Sequence, residues 1–415
     1  MIVPKLRYNG FSDEWQEVCL GEVGTFKSGG VDKKIYPGQQ MINLLNYMDV
    51  YNHKHITSIN CGNLMQVSAS DKQIKECNVN ANDVFFTPSS ETADDIGRVL
   101  VIEEDLPQTC YSYHLMRYRP EKGVFNPIFP NYGFETAYVR SQMRIMAKGV
   151  QRFVISKPDF ESLLVHCPSL AEQTQIAEYF KNLDSLIEAT GKKVASLKQT
   201  KQACLQSMFP QPGETTPRIR FKGFEGDWEK KQIGDISTSS KGNGYSKADL
   251  RLEGTPIVLY GRMYTKYSFE MDNVDTFATP KDGAVYSKGN EVVIPASGET
   301  AEDIAIAAAI KQSGVILGGD LNILTFDDDY LPSFMALCIS NSETHYELSK
   351  YAQGKSVVHL RNNDIAKGTV TCPSLAEQQQ IASFFSNLDK QIALQEQQLE
   401  KLKQVKAACL DNMFV

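Results

Sequence analysis

One stretch of this chain occurs twice. Residues 167–209 and 372–414 align without a gap at an offset of 205, and 24 of the 43 paired positions are identical. Both copies open Cys-Pro-Ser-Leu-Ala-Glu-Gln, at Cys167 to Gln173 and Cys372 to Gln378. Both close Ala-Cys-Leu-x-x-Met-Phe, at Ala203 to Phe209 and Ala408 to Phe414. A repeat at a fixed offset restricts the chain to architectures made from two copies of one unit.

Each copy reads as a long helix. Ser169 and Ser374 follow a proline, and each has a glutamate three residues on, Glu172 and Glu377, the pattern of a capping box. Apolar residues then recur in steps of four and three: Ile176, Phe180, Leu183, Ile187, Val194, Leu197, Cys204 and Met208. The second copy gives Ile381, Phe385, Leu388, Ile392, Leu399, Leu402, Cys409 and Met413. A mean step of about 3.5 residues is the seam of a left-handed coiled coil. Thr190 and Gln395 interrupt the seam at equivalent places, as do Lys201 and Lys406, and interior polar positions fix register. Two separate amphipathic helices are the alternative. A helix of roughly 40 residues spans about 60 Å, however, and two matched seams most simply pack on each other.

The repeat extends beyond the helices. Arg7-Tyr8-Asn9-Gly10-Phe11-Ser12-Asp13-Glu14-Trp15 matches Arg220 to Trp228 at an offset of 213, and these segments hold the only two tryptophans. Glu91-Thr92-Ala93 matches Glu299-Thr300-Ala301 at 208, and Ala147-Lys148-Gly149 matches Ala352-Gln353-Gly354 at 205. The expected organisation is a variable domain over 1–166, a helix over 167–209, a second domain over 210–371 and a second helix over 372–415. Pro210 to Pro217 reads as an extended linker. Short strands are expected near 84–87, 99–102, 114–118, 291–295, 315–317 and 322–326, with helical patches near 134–146 and 333–352. The class is α+β: two domains separated by a long antiparallel two-helix coiled coil, with an internal pseudo-two-fold repeat. Antiparallel packing is required because a parallel pair needs a connection of about 60 Å, which eight linker residues at about 3.5 Å each cannot make.

Composition excludes several classes. No apolar run approaches the roughly 18 residues of a membrane span, and Met1-Ile2-Val3-Pro4-Lys5 opens no signal-peptide core, so a cytoplasmic protein is expected. The nine cysteines include no C-x-x-C pair, which argues against a zinc site or a disulfide framework. Gly354-Lys355-Ser356 resembles a P-loop tail, but Ser349 stands where the leading glycine belongs. Gly242-Asn243-Gly244 lacks a third glycine, and no Asn-Pro-Pro-aromatic tetrapeptide of an amino-methyltransferase occurs. His53 and His55 flank Lys54 with no further ligand nearby. The carboxylates Glu91, Asp94 and Asp95 recur as Glu299, Glu302 and Asp303. With no His or Lys base beside them they read as loop caps rather than catalysts. No catalytic residue and no metal site is assigned.

What remains suits binding. Basic and amide side chains cluster before the first helix at Arg140, Arg144, Lys148, Gln151, Arg152 and Lys157, and before the second at Lys350, Gln353, Lys355, His359 and Arg361. Such groups reach phosphates and base edges, although any one of them could equally belong to a solvated charged face. The net charge of −7 is unlike that of a protein that holds nucleic acid unaided.

Two variable domains alternating with two helices that open P-S-L-x-E-Q-x-x-I-A resemble the specificity subunit of a type I restriction-modification system. The motif stands here as Pro168, Leu170, Glu172, Gln173, Ile176, Ala177 and as Pro373, Leu375, Glu377, Gln378, Ile381, Ala382. The resemblance implies two target-recognition domains, each reading half of a bipartite site in double-stranded DNA, and a coiled coil that sets the unread gap. It implies two methyltransferase subunits that use S-adenosylmethionine, and restriction/translocase subunits that use ATP and Mg. No cofactor is expected on this chain. Shared DNA wrapping by the partners would account for the acidic balance. Two rival readings are a free-standing methyltransferase or nuclease and a tandem adaptor that binds protein. Activity of the chain alone, or salt-dependent DNA binding by the assembled complex, separates them.

Overall fold

The protein was analysed as a computed structural model that describes residues 2–415. The chain forms two compact units. One comprises Met1–Gly191 together with Gln397–Val415, the other Lys192–Glu396.

The first unit is built on a four-stranded antiparallel sheet in the order Gly24–Ser28, Met116–Pro120, Val84–Phe86, Val99–Val101. The adjacent strands Val84–Phe86 and Val99–Val101 are apolar on both faces because both faces are covered. Val84, Phe86, Val99 and Val101 enter one core with Trp15, Phe160 and Phe180, whereas Phe85 and Leu100 enter a second core with Ile42, Leu44 and Tyr111. Alternate side chains of a strand point to opposite faces, so a continuous hydrophobic run serves two cores. The second core is floored by a three-stranded sheet of Met65–Ala69, Gln40–Leu45 and Thr109–Tyr111.

The second unit repeats this logic with different residues. Its five-stranded sheet runs Ser237–Lys241, Leu321–Phe326, Glu291–Pro295, Ala308–Ile310, Glu270–Met271. Val292 and Ile294 face the core that holds Trp228 and Phe385, while Val293 faces the other way, toward Met263 and Ile310. A two-stranded ribbon closes each unit at the same point of the repeat. Gln16–Cys19 pairs with Leu164–Cys167, and Glu229–Gln232 pairs with Thr369–Cys372.

Of the expected elements, 291–295 is a strand end to end, and 114–118 shifts to Met116–Pro120. The first helical patch is the helix Ala137–Met146, and the second is broken. The second is cut at Ser342, whose extended backbone ends Pro332–Asn341 while its hydroxyl accepts from the Thr344 N–H to start Glu343–Tyr351.

The long helices span Leu170–Ser207 and Leu375–Met413. Within each unit the beginning of one helix packs against the end of the other, so the pairing is antiparallel. In the first unit Lys406 Nζ lies 2.5 Å from Asp184 Oδ1, and the Phe180 and Phe414 rings are 5.9 Å apart. In the second, Lys201 Nζ lies 2.5 Å from Asp389 Oδ1, and Lys198 Nζ 2.6 Å from Glu396 Oε1. The lysines that interrupt the seam are thus paired at equivalent places, and Thr190 turns its hydroxyl onto the Leu186 carbonyl at 2.7 Å. Phe180, Leu183, Phe385, Leu388 and Ile392 are buried and Ile187 is half-buried. The seam does not serve one purpose along its length, however. Ile176 with Phe180, and Ile381 with Phe385, join the globular cores of their own units, which docks the start of each helix onto its sheet.

The match of residues 7–15 with 220–228 continues in the backbone just before each segment. Leu6 N–H donates to the Asn412 carbonyl at 2.8 Å in the first unit, and Ile219 N–H donates to the Ser207 carbonyl at 2.9 Å in the second.

Candidate nucleic-acid interface

The candidate side chains fall on one structural device that both units possess. After the helix Ala137–Met146 the chain turns outward in a short hairpin. Lys148 and Val154 exchange backbone hydrogen bonds of 3.0 and 2.9 Å across its stem. Phe153 and Val154 pair with Ser90 and Ser89, and Ile155 N–H donates to the Pro88 carbonyl at 2.9 Å. The turn depends on Gly149, whose φ is +147°. A Cβ there would lie 2.0 Å from the Arg152 carbonyl oxygen, so no other residue fits. The second unit builds the same hairpin from Gln353–Gly354 and Val358–His359, on the strand Ser297–Gly298. Gly354 has a φ of +146°, and its Cβ would lie 1.9 Å from the Val357 carbonyl oxygen.

Lys148, Gln151 and Arg152 are brought together on the first hairpin, and Gln353, Lys355 and His359 on the second, all exposed. Arg152 is tethered: its Nε and Nη2 donate to Ser89 Oγ at 3.2 and 2.9 Å. His359 Nδ1 stands 3.1 Å from Ser297 Oγ, the matching serine. Arg144 is exposed on the preceding helix, 3.5 Å from Asp94, and Lys157 pairs with Glu161 at 3.3 Å on the short helix that follows the hairpin. Lys350 ends the helix Glu343–Tyr351 and Arg361 precedes Asn362–Ile365, both exposed and outside the hairpin.

Arg140 has a different task from the one its residue type suggests. Its guanidinium donates to the Ile96 carbonyl at 2.5 Å and to that of Asp94, and burial lowers its pKa. It holds the loop that carries Glu91, Asp94 and Asp95. That loop is further fixed by Asp95, which accepts from Tyr51 Oη at 2.6 Å and from Arg98 Nη2 at 2.5 Å; these bonds hold its carboxyl below the ordinary range. In the second unit Thr300 Oγ1 accepts from Asp303 N–H at 3.1 Å, starting a helical turn. Of the repeated carboxylates, Asp95 anchors its loop and Asp303 accepts from the Thr300 hydroxyl, whereas Glu91, Glu299 and Glu302 are exposed. Among the described residues no group of three or more His, Cys, Asp or Glu could hold a metal ion.

Two residues that carry no signal in the sequence, Tyr113 and His114, stand beside the first hairpin. Burial pushes the His114 imidazole pKa down, with the charges of Arg152 and Lys33 adding to the effect, and the exposed Tyr113 ring lies 3.8 Å from that of His114. They arrive from loops whose spacing shows no periodicity. A groove of the first unit, about 790 Å³, is lined by charges already paired: Lys181 with Glu103 at 2.5 Å, and Asp184 with Lys406 at 2.5 Å and Tyr132 at 2.9 Å. Exposed amides and cations on rigid tips, with no nucleophile set against a base, equip the surface for recognition rather than for bond making.

Residues 12–199 and 225–404 match the model of the type I restriction modification DNA specificity domain. Over 364 residues the chain is 23% identical to a Methanocaldococcus jannaschii protein described as "Putative type I restriction enzyme MjaX specificity subunit", covering 80% of this chain and 77% of that one. It is 22% identical over 216 residues to the type I restriction enzyme EcoBI specificity subunit of Escherichia coli, covering 50% of this chain and 43% of that one. The crystal structure of the type I restriction-modification S subunit from M. genitalium superposes with a TM-score of 0.61 at 12% identity, over 100% of this chain and 99% of that one, a likeness of fold. No helix among the described residues is long and apolar enough to cross a membrane.

Proposed function

We infer the working of this chain from one premise: it belongs to the type I restriction modification DNA specificity family, whose domain both halves of the sequence match. It is the DNA-recognition subunit of such a system, not an enzyme in its own right. Each unit reads one half of a bipartite duplex site. The observation that carries this reading is a hairpin built twice on the same stem with different tips. Val150-Gln151-Arg152 rises from Gly149, and Lys355-Ser356-Val357 from Gly354. A constant support with variable side chains is what reading two unlike half-sites requires.

Gln151 is suited to adenine, Lys355 to the O6 and N7 of guanine, and Arg152, tethered by Ser89, to guanine or a phosphate. Lys148, Arg144, Lys157, Lys350 and Arg361 are proposed to follow the phosphates. Two methyltransferase subunits with S-adenosylmethionine, and restriction subunits with ATP and Mg, supply the chemistry in the cytoplasm. Their surfaces share the duplex, which reconciles a subunit of net charge −7 with DNA binding. The test is exchange of one unit with that of a relative, followed by mapping of methylated sites in cells. One half of the methylated sequence should change while the other stays. A hybrid in which both halves change would contradict independent reading.

A further inference from the structure

Val150 is an apolar side chain that nothing in the fold uses. It is 93% exposed, at the head of the first hairpin between Gly149 and Gln151. An isolated exposed valine is ordinary, but this one is held still. The stem bonds of Lys148 with Val154, the Gly149 turn and the Arg152–Ser89 tether fix the tip, so little order is lost when it meets a partner. Cations stand on and beside it, with Lys148 and Arg152 exposed on the hairpin and Arg144 exposed on the preceding helix, in a chain whose net charge is negative. A two-stranded ribbon fits the major groove, and there the only apolar group on a base edge is the thymine 5-methyl.

We propose that Val150 reads the 5-methyl group of a thymine in the half-site of the first unit, with Gln151 beside it on an adenine. This rests on the reading that the first unit contacts DNA through its hairpin. The second unit has Lys355 at the position equivalent to Val150, a hydrogen-bond donor in place of a methyl contact. The methyl dependence assigned to this position is therefore confined to one half-site.

The experiment uses the specificity subunit assembled with its methyltransferase partners and duplexes carrying the site mapped by its methylation in cells. Each thymine is replaced in turn by deoxyuridine, which removes only the methyl. At one thymine of the first half-site the change should weaken binding about fourfold, the worth of one buried methyl-sized group. In Val150→Ser the ratio between thymine and deoxyuridine at that position should fall to about one. The residue's exposure leaves the fold intact, which a thermal melt checks. Specific binding with no methyl-sensitive thymine in the first half-site, or a ratio that survives in Val150→Ser, overturns the assignment to Val150 alone. Binding by the wild-type assembly that ignores sequence overturns the underlying reading of the first unit.

Discussion

Arg7 and Glu172, 165 residues apart, meet in a bidentate ion pair, with Nε to Oε1 at 2.7 Å and Nη2 to Oε2 at 2.8 Å. Arg220 and Glu377 repeat it at 2.7 and 2.8 Å. Both glutamates are 1% exposed. The expected capping box is thus half right. Ser169 Oγ accepts from the Glu172 N–H at 3.4 Å, but the carboxylate is turned away from the helix start toward the segment before Trp15. The neighbouring glutamine completes the device. Gln173 accepts from Asn126 N–H at 2.8 Å and donates to the Pro168 carbonyl at 3.0 Å. Gln378 does the same with Leu331 at 2.9 Å and Pro373 at 3.0 Å. The Glu-Gln pair of the repeated motif is a clasp that fastens two remote strips of chain to each long helix.

Removing the arginine should expose this. Arg7→Ala leaves a buried carboxylate unpaired, which costs about 3 kcal/mol, the lower end for a buried pair because Arg7 keeps one edge toward solvent. Each unit has its own reporter, since Trp15 lies in the first and Trp228 in the second. In a Trp228→Phe background, urea unfolding followed by Trp15 fluorescence should shift to lower midpoint with Arg7→Ala. Arg220→Ala should leave that transition in place.

Leu183 and Leu388 test the seam. Each is buried at an equivalent position, and truncation to alanine should cost about 2–5 kcal/mol per site. Calorimetry of the double variant is the measurement, and an unchanged melting profile would sink the paired-helix account of stability.

Gly149→Ala should disable the first hairpin and spare the second. The added Cβ collides with the Arg152 carbonyl, and the backbone at φ +147° disfavours alanine besides. Methylation should fall about tenfold or more at sites bearing the first half-sequence, a penalty of about 1.4 kcal/mol. Gly191→Ala is the contrast. It lies in the long helix with open space where its Cβ would go, and alanine there should be neutral or stabilising by up to about 1 kcal/mol.

The loop under the first hairpin should loosen in acid. Hydrogen bonds from Tyr51 and then Arg98 lower the Asp95 pKa in the folded state. A depressed carboxylate contributes its full stabilisation above the unfolded value of about 3.9 and loses it as pH falls through the lower folded value. Amide exchange across 89–96 should therefore quicken below about pH 4, beyond the ordinary pH dependence of exchange. In Asp95→Asn the exchange should be faster at neutral pH, and this extra acid dependence should vanish.

Much of the fold is legible in the sequence because a duplication is a linear signal. The offsets that align Trp15 with Trp228 and Cys167 with Cys372 reappear as ribbons paired in the same register, although those strands are not among the expected ones, and the seam lysines prove to have equivalent cross-helix partners. Contacts that depend on three-dimensional closure are not written that way. Nothing in the spacing of Arg7 and Glu172 says that they touch. The basic and amide side chains before the helices form one class in the sequence, yet Arg140 ties down a loop while Gln151 and Lys355 are exposed on the hairpins. Only the backbone conformation at Gly149 and Gly354 tells the hairpin residues from their neighbours.

The first unit includes a segment that lies far along the chain from the rest of it, Gln397–Val415. Phe414 packs at 6.0 Å from Trp15, 5.9 Å from Phe129 and 5.9 Å from Phe180, at the heart of that unit's core. A mutation that removes or scrambles residues 397–415 is therefore a lesion of the module encoded first. The module encoded second, continuous from Lys192 to Glu396, would escape it. In a genetic screen, such alleles should sort phenotypically with missense changes at Trp15 or Arg7, and not with the changes that neighbour them on the map.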